Sequence, residues 1–176
     1  MVTLERLRAD HEEALLAFER ENREYFARSI TDRGDAFFAE FPAQHRARLA
    51  EQDEGRCHFH LILDEQGELV GRVNLFEVSA EGVAALGYRV AEHAAGRGVA
   101  TAAVAALCRI AAADYGLSTL VADASVVNQA SRTVLERNGF AVVGETVVGG
   151  RPAVRYRRAL APEPAQRADG LRGPAS

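Results

Sequence analysis

Two glycines separated by one residue lie between a strand-like run and a helix-like run in the middle of the sequence. The segment Ala95 to Thr101 contains Gly96 and Gly98. The apolar run Val83 to Ala91 precedes it, and the long run Val99 to Asp114 follows it. Glycines in this position let backbone N–H groups turn toward one point with no side chain in the way. That point is also the positive end of the helix dipole, so the segment predicts an anion site that a pyrophosphate would fit.

The spacing of the glycines excludes the two common nucleotide-binding loops. A dinucleotide-binding loop has the pattern G-x-G-x-x-G, but Thr101 occupies the position of the third glycine. A P-loop has the pattern G-x-x-x-x-G-K-[ST], which does not occur in the sequence. The form that remains is the loop that binds the pyrophosphate of coenzyme A. A bare G-x-G also occurs in loops that bind no ligand, so this segment alone leaves both possibilities open.

The glycine segment resembles the cofactor-binding motif of a known enzyme family. Ala95 to Thr101 is similar to motif A of the GNAT N-acetyltransferases, whose pattern is [QR]-x-x-G-x-[GA], although only the glycine half of that pattern is matched. A second family signature, N-x-x-A-x-x-L-Y-x-x-x-G-F, resembles Asn128 to Phe140, with Ser131 at the alanine position and Leu135 at the tyrosine position. Two signatures in this order, with a strand between them, are far more specific than either alone.

The second signature is most similar to the RimJ/RimL branch, the ribosomal-protein alanine N-acetyltransferases. Three further segments resemble that branch, namely Val70 to Leu75, Leu86 to Tyr88, and Glu21 to Arg23. The resemblance covers about Leu7 to Leu160. It implies an α/β fold, with a mixed and mostly antiparallel central sheet that is flanked by helices and splayed at the cofactor site.

The resemblance also implies acetyl-coenzyme A as co-substrate and no metal. Backbone N–H groups of the glycine loop would hold the pyrophosphate, and the end of the preceding strand would pair with the pantetheine like an added strand. The implied cofactor-binding residues are Arg89, Val90, Ala91, Gly96, Arg97, Gly98, Val99, Ala100, Thr101, Asn128 and Ser131.

Acetyl transfer from a thioester requires an acid for the leaving thiolate and a donor for the developing oxyanion. The resemblance implies that the N–H of Val90 polarises the thioester carbonyl. It implies that Ser131 is the acid, since Leu135 removes the family's usual tyrosine. Asn128 and Ser131 also fit a purely structural interpretation, as residues that cap the helix they begin. The sequence leaves both interpretations open.

The base that deprotonates the amine has three candidate solutions. Glu145, in the closing hairpin, is the first, because the strand Val83 to Ala91 carries no carboxylate. A water relay through Glu92 or His93 is the second. The third needs no dedicated base, because placing the amine against the thioester can itself remove ~7–11 kcal/mol of barrier.

The segment Glu21 to Phe26 has two interpretations, a helix end packed on the core or a wall of the acceptor pocket. In the second, Asn22, Tyr25 and Phe26 contact the acceptor, opposite the Gly149-Gly150 hairpin. Nearby glutamates and a net charge of −4 favour a cationic amine. We expect transfer to a primary amine, with a peptide N-terminal α-amino group favoured over a small amine. The alternative from another class is a non-catalytic acyl-CoA-binding regulatory module.

The order of apolar and turn residues predicts the elements that position this site. Predicted helices start at Asp10, taken as an N-cap, and span Ala43 to Asp53, Val99 to Asp114 and Asn128 to Asn138; predicted strands span Cys57 to Leu63, Glu68 to Glu77, Val83 to Ala91, Thr119 to Ala122, Phe140 to Val148 and Pro152 to Leu160. The domain therefore covers residues 1–160, and the Pro-, Ala- and Gly-rich segment 161–176 is predicted to be a disordered tail.

The composition is typical of one soluble globular domain, with 176 residues, 48% apolar and 26% charged. The net charge of −4 argues against a nucleic-acid partner, and no apolar run reaches the ~20 residues that span a membrane. Cys57 and Cys108 follow no metal spacing, and the N-terminus does not resemble a signal peptide, so we expect a cytoplasmic protein with reduced thiols, monomeric or homodimeric. His58 and His60 lack a third metal ligand and are predicted to be a pair on the sheet surface.

Overall fold

The strands form one sheet of seven, in the order β1-β2-β3-β4-β5-β7-β6. A computed structural model describes residues 1–160, so the predicted tail 161–176 lies outside the described residues. The strands are β1 (Thr3–Arg6), β2 (His58–Leu63), β3 (Leu69–Phe76), β4 (Val83–Val90), β5 (Thr119–Ser125), β6 (Ala141–Val148) and β7 (Arg151–Ala159). All neighbours pair antiparallel except β4 and β5, which are parallel. This confirms the predicted mixed, mostly antiparallel sheet.

The helices cover both faces of the sheet. They are α1 (Glu12–Glu21), α2 (Arg23–Ala27), α3 (Asp35–Ala39), α4 (Phe41–Asp53), α5 (Val99–Ala113) and α6 (Gln129–Arg137). Along α5, Ala103, Leu107 and Ala111 recur every four residues and are fully buried, because this spacing places them on one side of the helix. Phe37 and Phe41 help to form a separate cluster on the opposite face. No helix in the described range is long and apolar enough to cross a membrane.

Two local predictions in the N-terminal half are wrong, and one strand was not predicted. Asp10 does not cap a helix, because its carboxylate pairs with the Arg8 guanidinium at 3.0 Å and the chain forms a 3-10 turn at Ala9–His11. The sequence predicts that Pro42 breaks the apolar run of Phe37, Phe38 and Phe41, but Pro42 lies in the first turn of α4, where its missing N–H costs nothing. The four-residue edge strand β1 has no counterpart among the predicted elements.

The pair His58 and His60 is buried, so its predicted place on the sheet surface is also wrong. The two residues expose only 8% and 3% of their surface. His60 Nε2 lies 2.7 Å from the Tyr115 hydroxyl oxygen, and the His58 ring stacks on the Tyr115 ring at a centroid distance of 3.7 Å. Tyr115 follows α5 and covers this part of β2. Within residues 1–160, no three His, Cys, Asp or Glu side chains are grouped so that they could hold a metal ion.

Burial of His60 predicts that the domain loses stability in mild acid. Burial lowers the pKa of His60 to about 4 from its ordinary value of 6.5. Between these values the unfolded chain binds a proton that the folded chain does not, so the free energy of unfolding falls as pH decreases. We expect a loss of about 2–3 kcal/mol by about pH 4.5 from this group.

Urea unfolding of the His60→Gln variant across this pH range tests the prediction, since glutamine keeps a polar group next to Tyr115 without titrating. The variant should show a shallower decline than the wild type. The matched control is His93→Gln, because His93 is exposed. An unchanged decline in His60→Gln would assign the acid sensitivity to other groups.

Candidate active site

The glycine loop ends in a left-handed turn that forms the N-terminus of α5. Gly96 and Gly98 have φ angles of 73° and 77°, a conformation that side chains rarely adopt. Gly98 is the N-cap residue and contributes no side chain to cap the helix. A Cβ atom added at either glycine would meet no atom within 4 Å, so the space in front of the loop is open.

The first turn of α5 presents backbone N–H groups to that space. The first helical hydrogen bond runs from the Ala102 N–H to the Gly98 carbonyl at 3.0 Å. The N–H groups of Val99, Ala100 and Thr101 precede it and have no backbone acceptor within the described chain. The dipole of the 15-residue helix adds partial positive charge at this end. The loop thus has the geometry of an anion site.

The sheet opens next to this loop, as predicted. β4 and β5 pair only from Val83 to Ala85, opposite Thr119 to Val121, although both strands continue beyond that point. The Ala91 N–H donates to the Val70 carbonyl of β3 at 2.8 Å. Because hydrogen-bonded pairs alternate along antiparallel strands, the N–H and C=O groups of Tyr88 and Val90 point away from β3 and into the gap.

This alternation corrects part of the predicted pantetheine contact. The N–H groups of Arg89 and Ala91 face β3, so neither is available to an added strand. The backbone N–H of Val90 faces the gap, as predicted. The backbone N–H of Tyr88 also faces the gap, whereas the prediction named Arg89 and Ala91. The sequence does not reveal this, because the strand pattern gives the direction of side chains but not which edge each N–H faces.

One cleft of about 580 Å³ joins the loop, the open strand end and the two flanking helices, a size typical of small-ligand sites. Its walls are α2 with the residues after it, the end of β4, the glycine loop, and α6 with its cap. The lining residues are Tyr25, Phe26, Ser29, Ile30, Tyr88, Arg89, Val90, Ala94, Ala95, Gly96, Gly98, Val99, Ala100, Thr101, Asn128, Gln129, Ala130, Ser131, Thr133, Val134 and Arg137.

The side chains of Tyr88 and Ser131 meet inside the cleft. Their hydroxyl oxygens are 2.8 Å apart, and the Tyr88 hydroxyl also lies within 3.3 Å of the Ser131 carbonyl oxygen. Burial raises the pKa of Tyr88, so its proton stays in place at neutral pH. Leu135, at the family's tyrosine position, is buried in the core and does not line the cleft. Tyr88 and Ser131 are therefore two hydroxyl groups able to pass a proton at one point of the cleft.

Asn128 is the N-cap of α6, which confirms the structural interpretation of this residue. Its side-chain oxygen accepts a hydrogen bond from the Ser131 N–H at 3.1 Å. Both residues also line the cleft. Capping thus fixes the start of α6 and with it the direction of the Ser131 hydroxyl.

Two of the three residues predicted to contact the acceptor line the cleft. Tyr25 and Phe26 line the cleft, and Phe26 also packs on Phe18 of α1. Asn22 does not line the cleft, because its buried amide donates to the Phe18 carbonyl at 3.0 Å and accepts from the Glu92 N–H at 3.1 Å. Asn22 therefore connects α1 to the segment before the glycine loop, as the structural interpretation of Glu21 to Phe26 expects. The acceptor-binding role of Tyr25 and Phe26 stays a prediction.

Arg97 and Glu145 do not reach the cleft. Arg97 is exposed and is not part of the cleft lining. Glu145 is exposed on β6, which β7 separates from the open strand pair. The tip of the β6–β7 hairpin lies near the residues that follow α2, since a Cβ at Gly149 would lie 3.8 Å from the Thr31 hydroxyl oxygen. Neither Gly149 nor Gly150 lines the cleft. No Asp, Glu or His of the described residues lines the cleft.

A buried ion-pair group supports the β4 wall. Glu19, which is 2% exposed, accepts from Arg72 and from Arg89, each at 3.0 Å. Burial lowers the pKa of Arg72 to about 10, so this group is still charged at neutral pH. The sequence gives no signal for the group, because its members come from α1, β3 and β4.

Comparison with known proteins identifies a family match and several solved structures with a similar fold. The acetyltransferase (GNAT) domain family matches residues 2–141. No curated protein matches the sequence significantly. Among solved structures, the ribosomal-protein-S5-alanine acetyltransferase from Vibrio fischeri is similar with a TM-score of 0.83 and 16% identity, over 90% of this chain and 93% of that chain.

Two further structures have similar folds. Mycobacterium smegmatis RimJ, in complex with CoA-disulfide, has a TM-score of 0.80 and 24% identity over 90% of this chain and 81% of that one. Spermidine N-acetyltransferase from Vibrio cholerae, in complex with CoA and spermine, has a TM-score of 0.75 and 17% identity over 90% and 95%. These likenesses show a shared fold. Because the family match spans the glycine loop, the open strands and α6, the chain belongs to the GNAT acetyltransferases, enzymes that move an acetyl group from acetyl-coenzyme A to an amine.

Proposed function

We propose that the protein acetylates the N-terminal α-amino group of a peptide or protein. The observation that carries this proposal is the single cleft that joins an anion-binding loop, a proton-donating hydroxyl pair and an aromatic wall. A polyamine acceptor is the less favoured candidate, because multiply charged cations need carboxylate partners and no carboxylate of the described residues lines the cleft. A cytoplasmic location and a monomeric or homodimeric state stay predictions of the sequence.

The residues present fit coenzyme A on two observations. Open space lies where Cβ atoms at Gly96 and Gly98 would stand, and the N–H groups of Val99 to Thr101 have no backbone acceptor in the described chain. These N–H groups would hold the pyrophosphate. The unpaired edge of β4 at Tyr88 and Val90 would hold the pantetheine.

Acetyl-coenzyme A supplies the acetyl group as a thioester. The amine nitrogen bonds to the acetyl carbon as the carbon–sulfur bond breaks, the departing sulfur gains a proton, and the nitrogen loses one. The Val90 N–H donates to the carbonyl oxygen as negative charge develops there. Ser131 gives its hydroxyl proton to the sulfur and recovers one from Tyr88, whose oxygen lies 2.8 Å away. Tyr88 regains a proton from solvent, which receives the proton that the amine loses, so the step balances.

The amine loses its proton without direct contact with a basic side chain of the described residues. Glu145, the first candidate from the sequence, is outside the cleft and could act only through water. Glu92 is 60% exposed and lies 3.6 Å from Arg28, so it too would require a water relay. We assign this step to solvent, with the cleft holding a neutral amine against the acetyl carbon.

The first test measures binding and turnover separately. At a concentration of about 100 times its dissociation constant, coenzyme A should stabilise the domain by about 2.7 kcal/mol. Thiol release from acetyl-coenzyme A should then accelerate with a panel of N-terminal peptides and less with spermidine or other small amines. A sample without amine reports hydrolysis.

Two results would contradict the proposal. Stabilisation by coenzyme A without thiol release on any amine would favour the non-catalytic acyl-CoA-binding module. If millimolar coenzyme A does not stabilise the domain, the cleft does not bind the cofactor.

A further inference from the structure

Arg89 lines the cleft and also a second, smaller cavity that shares Phe26 and Ile30 with it. Its side chain leaves β4 on the face that carries α1 and α2, and it lines the cleft together with Tyr25 and Phe26. The guanidinium carbon lies 4.8 Å from the centre of the Phe26 ring. One terminal nitrogen donates to Glu19 at 3.0 Å, and no other hydrogen-bond partner of this guanidinium exists among residues 1–160. The remaining N–H groups are free to bind a ligand.

The ion-pair group behind Arg89 carries an uncompensated positive charge. One carboxylate, Glu19, serves two arginines, and no second carboxylate of the described chain pairs with either of them. Arg72 is almost wholly buried and does not line the cleft. Arg89 is the arginine of this group that lines the cleft, so the excess charge lies at the cleft wall, beside the smaller cavity that Arg89 also lines.

The other charged groups around the cleft do not cancel this charge. Arg137, on α6 at the side of the glycine loop, is the second charged residue of the lining, and it is also positive. Glu24 and Glu21 precede the lining part of α2 and are not part of it. A cationic acceptor would thus meet a positively charged wall, although the whole chain has a net charge of −4.

We propose that Arg89 selects acceptors that carry a carboxylate next to the reactive amine. A guanidinium matches a carboxylate with two parallel N–H donors, and the aromatic face of Phe26 holds the guanidinium plane in position. Two sources share this chemistry, a peptide that begins with an acidic residue and a free α-amino acid. The inference rests on the proposed function, because it names the acceptor class of the same cleft.

The experiment compares acceptors that differ only in this charge. One arm uses peptides that begin with Asp or with Asn, and the other uses alanine or alaninamide. Hydrogen bonds between charged groups lead us to expect a preference of about tenfold or more in kcat/KM for the carboxylate member, mostly through KM. The arm that shows the preference identifies the source. Equal rates within both pairs would overturn the proposal.

Variants of Arg89 assign the preference to this side chain. In Arg89→Met the preference should disappear, while Glu19 keeps Arg72 and the fold is retained. Arg89→Lys should retain a smaller preference, because lysine keeps the charge but not the paired donors. The control is Arg28→Met, which removes an exposed arginine of the same helix region and should leave the preference unchanged. A preference that survives in Arg89→Met would exclude the proposed role.

Equilibrium binding separates this inference from the proposed function. Calorimetry of the same acceptor pairs with the coenzyme A complex measures recognition without turnover. The carboxylate member should bind more tightly to the wild type, and both members equally to Arg89→Met. If the carboxylate acceptor binds more tightly but is not acetylated, the proposed function is wrong and the role of Arg89 stands. If both acceptors are acetylated without preference, the proposed function stands and the role of Arg89 is wrong.

Discussion

Replacing Gly98 by aspartate is expected to weaken coenzyme A binding by about a hundredfold or more while the domain stays folded. A Cβ at Gly98 meets no atom within 4 Å, so the new side chain finds room in the same space that we assign to the pyrophosphate. The backbone has φ of 77° at this residue, and aspartate and asparagine enter this region more readily than other side chains. The fold should therefore accept the change at a modest cost.

The size of the effect follows from the added charge. At a separation of about 5 Å and an effective dielectric constant of about 20, two like charges repel by about 3 kcal/mol, a factor of about a hundred in Kd. The matched control is Gly98→Asn, which has nearly the same shape and no charge. Calorimetric titration should show the asparagine variant weakened by sterics alone and the aspartate variant weakened about a hundredfold further. Equal affinity in the two variants would place the phosphates away from Gly98.

The glycine loop could be predicted from sequence because its requirements are local. Gly96 and Gly98 have positive φ angles, and the helix that they begin is coded by the small apolar residues that follow. The parallel crossover from β4 to β5 follows from the strand–helix–strand order around that helix. Each of these features depends on neighbours within about one element, so a single sequence contains the signal.

Features that depend on distant residues could not be predicted. The Tyr88–Ser131 pair joins residues 43 positions apart, and its distance depends on how α6 docks beside β4. Whether a strand face is covered also depends on tertiary packing, which is why His58 and His60 were assigned to the surface although Tyr115 covers them. Tyr88 had a usable signal, because strand alternation places it on the same face as the buried Leu86 and only eight residues before Gly96.

The net charge of the chain does not predict the charge of the cleft. The net charge of −4 favours a cationic acceptor, yet the charged residues that line the cleft are Arg89 and Arg137. Solvent screens charges beyond about 10 Å at moderate salt, so surface glutamates outside the cleft contribute little at the reacting amine. Under the role proposed for Arg89, the acceptor preference follows from the local charge of the cleft, which sequence order does not reveal.

Removing the Ser131 hydroxyl is expected to lower kcat by about 10²–10⁴-fold, the usual cost of a lost general acid. The Ser131→Ala variant keeps its backbone N–H on Asn128, so α6 remains capped. The dissociation constant of acetyl-coenzyme A should change little, because the phosphates are assigned to the backbone of the glycine loop. Tyr88→Phe should produce a loss of similar size, since its hydroxyl lies 2.8 Å from that of Ser131 and returns the proton.

The double variant distinguishes a relay from two independent contributions. If Tyr88 acts only through Ser131, removing both hydroxyls should cost no more than removing Ser131 alone, because residues that act as a unit are not additive. Tyr115→Phe is the matched control, since it removes a half-buried tyrosine hydroxyl that lies 2.7 Å from His60 Nε2, outside the cleft. It should lower the melting temperature and leave kcat unchanged. If the two losses in kcat multiply in the double variant, the hydroxyls act independently and no proton passes between them. If kcat of Ser131→Ala stays within a few-fold of wild type, Ser131 has only a structural role at the start of α6.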